Sequence, residues 1–115
     1  MTEAPTPVEI RAPEGARRME IEWSDGAVTA YRHAILRGFC PCAVCQGHHG
    51  PVEWVEGADD MDLELTLLEE VGAYALRLGW GDGHSTGIYT FRFLRDLGEI
   101  GESESGFVQG RTFLR

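Results

Sequence analysis

From Arg18 apolar and polar residues alternate. Met19, Ile21 and Trp23 fall on one face of an extended chain, Glu20, Glu22 and Ser24 on the other. Successive side chains of a strand point to opposite faces, so a period of two predicts a half-buried strand. Asp25-Gly26 follows, a pair suited to a tight hairpin turn, and 27–31 is expected to return as the second strand. A short helix over 34–37 would then stop at Gly38. Upstream, Val8 and Ile10 alternate with polar neighbours and predict a short strand, preceded by a Pro- and Thr-rich arm over 1–6.

The second half repeats this order. Tyr74, Leu76, Leu78 and Trp80 share one strand face, Asp82-Gly83 supplies a turn, and 85–89 is expected to return. A helix over 90–97 has Thr90 as its N-cap and Gly98 just past its end. Trp-Ser-Asp-Gly at 23–26 matches Trp-Gly-Asp-Gly at 80–83, and Ile35-Leu36-Arg37 matches Phe93-Leu94-Arg95. The chain therefore reads as two copies of one strand–turn–strand–helix unit. In this alignment His84 is taken as a one-residue insertion after the second turn. Between the copies lie a cysteine-bearing segment, 40–50, and a strand around Leu63, Leu65 and Leu67. After Ile100, Gly-Glu-Ser-Glu-Ser-Gly has linker composition, and 107–115 is a tail that either docks or stays loose. The expected fold class is mainly β with short helices (α+β). It is a small antiparallel-sheet domain over 7–100, its two units joined by a metal site and flanked by the arm 1–6 and the linker and tail 101–115.

At 115 residues, 43% hydrophobic and 25% charged, the chain fits one globular domain. So small a core gives modest stability, and a metal staple would add to it. The net charge of −9 repels phosphate backbones and anionic lipid, so neither nucleic acid nor membrane is expected as a partner. The first residues lack a basic start followed by an apolar run, and no stretch has the length of a membrane span. The expected compartment is the cytoplasm. Three cysteines within six residues, in a reducing compartment, point to metal or redox chemistry rather than disulfides.

Cys40-Pro41-Cys42-Ala43-Val44-Cys45 is the segment that carries chemistry. Zinc takes about four ligands in a tetrahedron, and three thiolates at this spacing wrap one ion if the loop turns sharply. Pro41 lowers the entropy lost on ordering that loop. The plain alternative, three buried thiols without a ligand role, suits isolated cysteines better than a cluster. For the fourth ligand, His48 and His49 offer a local closure and His84 a remote one on a turn tip; the residues alone leave this open. His33 reads as ordinary surface or core packing, Trp23 and Trp80 as core, Asp25 and Asp82 as turn residues; Trp54 stands alone. The chain has no Gly-rich phosphate loop and no defensible Ser-His-Asp order, and none of its histidines has an acid two places on, the usual sequence mark of a non-haem iron triad. Cys42 and Cys45 have redox-motif spacing but no βαβ surroundings. A site of three thiolates and one imidazole is closed, and closed sites are structural.

Trp23-Ser-Asp-Gly26, the run from Leu36 to Cys45, and the run from Gly79 to Tyr89 together resemble the gamma-butyrobetaine hydroxylase-like N-terminal domain family. The resemblance covers about Val8 to Leu97. The family includes small uncharacterised bacterial proteins made of this domain alone. In the hydroxylase the domain holds zinc through three cysteines and a histidine, which implies Cys40, Cys42, Cys45 and His84 as ligands here. The hydroxylase oxidises a carnitine precursor with iron and 2-oxoglutarate, using a separate C-terminal domain outside these 115 residues, so the resemblance does not imply that activity. A similar domain is appended to some P-loop ATPases related to iron–sulfur cluster carriers. Two functions follow as expectations. One is a non-catalytic binding or interaction module, with an unidentified protein partner, stabilised by zinc. The other is an iron–sulfur or iron-handling accessory protein, since mixed Cys/His ligation also suits a cluster.

Overall fold

The computed structural model describes residues 4–47, 50–55, 63–104 and 107–114. In chain order the elements are β1 (Pro7–Arg11), β2 (Arg18–Trp23), β3 (Val28–Arg32), α1 (His33–Gly38), α2 (Ala43–Gln46), β4 (Val52–Glu53), β5 (Leu65–Val71), β6 (Ala75–Trp80), β7 (Gly87–Thr90), α3 (Phe91–Leu97) and β8 (Thr112–Phe113). Strands β1-β2-β3 form one antiparallel sheet and β5-β6-β7 another, and β4 pairs with β8. Small antiparallel sheets with short helices are the architecture that the alternation predicts.

The alternating stripes become the core. Met19, Ile21 and Trp23 of β2 and Leu76, Leu78 and Trp80 of β6 are buried, joined by Ile35, Leu36, Phe93 and Leu94 from the helices. Tyr74 departs from the expectation: it lies in the 72–74 turn before β6 and is 56% exposed. The middle strand begins at Leu65 rather than Leu63 and runs on to Val71, because its partner β6 extends that far. Thr90 caps α3, its Oγ1 accepting from the Phe93 N–H at 3.1 Å. Gly38 is the last residue of α1 rather than a stop beyond it. Its lack of a side chain serves packing, since a Cβ there would meet the Trp54 ring at 1.9 Å.

The two units are related by reciprocal bonds. Tyr31 of the first donates to the Leu94 carbonyl of the second, and Tyr89 of the second donates to the Leu36 carbonyl of the first, each at 2.5 Å. Arg95 pairs with the first turn's Asp25, and Arg37 pairs with the second turn's Asp82. The turns match as well. The backbone N–H groups of Trp23 and Trp80 donate to the carbonyls of Ala27 and His84, and Asp25 and Asp82 accept from the backbone N–H of those same residues. His84 thus occupies the place of Ala27, which corrects its reading as an insertion. The additional residue of the second unit falls later, between His84 and Tyr89.

Both flanks of the domain, as far as they are described, are tied in. Thr6 and Ser24 exchange two hydrogen bonds, and the Gly101 carbonyl accepts from Arg32 N–H at 2.7 Å. Val108 and Phe113 are buried against the core, Phe113 edge-on to both Phe39 and Phe93. Among the described residues no helix is long and apolar enough to cross a membrane.

His33 is buried with its Nδ1–H donating to the Leu63 carbonyl at 2.8 Å. Its ring packs edge-on to Trp80, and its Nε2 has no hydrogen-bond partner among the described residues. Burial, with Arg17 acting in the same direction, pushes its pKa below the ordinary 6.5. The folded state thus favours the neutral ring, while the unfolded chain takes up a proton as pH falls through 6.5. This contribution to stability is complete above that pH and is lost below it. Thermal melting across pH 5–8 is expected to fall on the acid side, and less so in His33→Gln than in the native chain.

Candidate metal centre

Three cysteines and one histidine converge at one point although 39 to 44 residues of chain separate the sulfurs from the imidazole. The end of α1 turns at Phe39, whose N–H still bonds back to Ile35, and delivers Cys40 into the core. After Pro41 and Cys42, the single turn of α2 returns Cys45, with the Cys45 N–H aimed at Cys42 Sγ at 3.4 Å. Gln46 anchors this loop to β4: its amide donates to the carbonyls of Cys40 and Glu53 and accepts from the Glu53 N–H. His84 arrives from the turn between β6 and β7, where Gly83 at φ +90 permits the tight reversal.

His84 Nε2 lies 3.2 Å from Cys40 Sγ, 3.4 Å from Cys42 Sγ and 3.3 Å from Cys45 Sγ. All four ligand atoms fall within 4.8 Å of one another. A hydrogen bond gives one ring nitrogen one partner; near-equal distance to three sulfurs is the apex of a tetrahedron over its base. Zinc–sulfur bonds of about 2.3 Å and a zinc–nitrogen bond of about 2.0 Å would put nitrogen and sulfur roughly 3.5 Å apart. The residues therefore fit a tetrahedral ion with only small adjustment. Cys40 is buried, while Cys42, Cys45 and His84 are half-buried, so the group sits at the rim of the core.

Burial pushes the Cys40 thiol well above the ordinary thiol range and raises Cys45, with Cys42 adding to the latter. Burial also acts against the Cys42 thiolate, but hydrogen bonds from the Thr86 hydroxyl, the Cys45 N–H and the thiols of Cys45 and Cys40 together outweigh it and lower that group. The His84 imidazole is lowered by burial and by Arg37. A divalent cation among them reverses the thiol preference, since coordinated thiols are deprotonated. Arg37 is 8% exposed and is held charged by Cys45 and Asp82 against the cost of its burial.

The internal symmetry explains why only one unit has the group. By the tyrosine match, Gly87 stands where the first unit has Thr29, and Cys40 stands where the second has Gly98. A Cβ at Gly87 would lie 2.7 Å from Cys40 Sγ, and a Cβ at Gly98 would lie 2.7 Å from Thr29 Cγ2. Each contact pairs a glycine with a side chain, in opposite order. In the first unit Thr29 Oγ1 accepts from Trp23 Nε1 at 2.8 Å. With Gly87 in that place, the buried Trp80 Nε1 has no partner among the described residues. Room for the sulfur costs the indole its hydrogen bond.

The chain matches the family model described as "Gamma-butyrobetaine hydroxylase-like, N-terminal" over residues 10–95. It belongs to that family. All four converging residues lie inside the matched span. The gamma-butyrobetaine hydroxylase-like fold recurs in a crystal structure from Acidithiobacillus ferrooxidans, titled a protein of unknown function of the DUF971 family. It has TM-score 0.65 and 35% identity, covering 81% of this chain and 92% of that one. Two solution NMR structures are also similar. One has TM-score 0.69 and 28% identity, covering 87% of this chain and 76% of that one; the other has 0.62 and 26%, covering 84% and 74%. No curated protein matches the chain.

The structure brings together Cys40, Cys42, Cys45 and His84, the four residues that the family resemblance implies. His48 and His49, the local candidates, lie outside the described residues. Arg37, Thr86 and Gly87 were not foreseen. The signal for Gly87 was available in the repeat, as the glycine that replaces Thr29 at equal distance from the aligned tyrosine.

Proposed function

We propose that this chain is a zinc-binding domain in which Cys40, Cys42, Cys45 and His84 hold one structural ion. The observation that carries this reading is His84 Nε2 standing within 3.4 Å of all three sulfurs. Four protein ligands fill a tetrahedral ion and leave no position for substrate, which favours a structural over a catalytic role. The ion ties the loop after α1 to the turn before β7, so binding energy becomes folding energy. The domain then acts as a non-catalytic module that meets another protein. The net charge of −9 speaks against nucleic acid in that role.

An iron–sulfur cluster is the competing occupant. A cluster is larger than one ion and holds its ligands further apart, so the compactness of the group favours a single ion. Protein purified under anaerobic conditions is expected to be colourless and to carry about one zinc per chain; visible absorption with iron and sulfide would overturn the zinc assignment. The ligand choice has its own test. His84→Ala is expected to lose the ion, while His48→Ala retains it; the reverse would mean a site closed locally.

A further inference from the structure

Beyond the four ligands, one cationic side chain links the two halves of the site. Arg37 of α1 donates from Nε to Asp82 Oδ2 at 3.2 Å and from Nη1 towards Cys45 Sγ at 3.4 Å. Asp82 Oδ1 in turn accepts from the His84 N–H at 3.0 Å. The guanidinium fork therefore joins the α2 cysteine to the turn that presents the imidazole. Nearly all of this side chain is withdrawn from solvent, with 9% exposure against 20% for Asp82. We propose that Arg37 is a positioning residue for the metal centre, fixing Cys45 and the His84 turn in register before the ion arrives and stabilising the thiolate once it is bound.

The pseudo-symmetric partner supplies an internal control. Arg95 pairs with Asp25 through both carboxylate oxygens at 3.1 Å, and Asp25 holds the Ala27 N–H just as Asp82 holds that of His84. The second contact of Arg95 is the Trp23 face, 5.1 Å from the ring centroid, where Arg37 instead reaches a sulfur. An arginine–aspartate clamp on the turn is thus common to both units, and only the Arg37 copy extends to a ligand. If the clamp served the fold alone, removing either copy would have the same consequences.

This inference rests on the reading of the four residues as a metal site. The test is a competition titration of zinc against a chromophoric chelator, alongside thermal melting, for native protein, Arg37→Gln, Arg37→Lys and Arg95→Gln. Partners that orient metal ligands typically contribute about 10- to 100-fold in affinity. Arg37→Gln is expected to weaken zinc binding by about that factor. Arg37→Lys should fall between it and the native protein, because lysine keeps the charge and loses the fork. Arg95→Gln is expected to lower the melting temperature and leave zinc affinity unchanged. Native affinity in Arg37→Gln, or an equal loss in Arg95→Gln, would overturn the positioning role while leaving the metal site standing. A native protein that takes up no zinc would overturn the metal site itself. Should Arg37→Gln fail to fold, the Arg37→Lys affinity decides: a native value overturns the role and a weakened one supports it.

Discussion

A strong chelator is expected to lower the melting temperature of the native protein by roughly 15 °C or more, the equivalent of about 3 kcal/mol in a domain of this size. The reason lies in what the ion connects. Cys40, Cys42 and Cys45 belong to the loop after α1, and His84 belongs to the β6–β7 turn. Without the ion these two segments retain the Arg37–Asp82 pair and the packing of Gly87 on Cys40. Structural zinc in small domains binds with apparent free energies of about 10–16 kcal/mol, and the total stability of a domain is about 5–15 kcal/mol. The two buried strand faces are expected to keep a residual fold, so the loss is large but incomplete. Cys40→Ser should melt near the chelated native protein and respond no further to chelator. An unchanged melting curve after chelation would exclude a structural ion.

The second large effect is a compensating swap. Gly87→Thr introduces a Cβ 2.7 Å from Cys40 Sγ, and the sulfur is hemmed in by the core. The displaced thiol leaves the tetrahedron, so the variant is expected to lose the ion and about 2–3 kcal/mol. Cys40→Gly removes the sulfur and leaves a void, with a cost of similar size. Combined, the two changes reproduce the first unit's arrangement, in which threonine packs on glycine and accepts from the tryptophan indole. The double variant is expected to be more stable than either single one, with a favourable coupling of about 1–3 kcal/mol, and to be indifferent to zinc. Additive losses in chemical denaturation would mean that the two units do not share this packing.

Much of the fold was legible because its signals are local. The Met19–Ile21–Trp23 and Leu76–Leu78–Trp80 stripes report burial directly, and each Asp-Gly reports a turn. The cysteine cluster was legible for the same reason. What escaped is non-local. β4 and β8 are two residues each and exist through pairing across the chain, with Phe113 inserted between Phe39 and Phe93. Tyr74 fits the alternation but falls in the turn, since the hairpin reverses at 72–74 and leaves it unpaired with the core stripe. His84 was found as a ligand candidate by its place on a turn, yet its alignment to Ala27 needed the backbone bonds. Arg37 stands out in the repeat as the match of Arg95, but its role does not, because charged residues at helix ends are common and only the fold brings Asp82 and Cys45 to it.

The most direct test of the account is X-ray absorption spectroscopy of the zinc-loaded protein. The predicted shell is three sulfurs at about 2.3 Å and one imidazole nitrogen at about 2.0–2.1 Å, with the nitrogen scattering lost in His84→Ala. A shell with fewer sulfurs completed by oxygen, or one that survives His84→Ala intact, would contradict it.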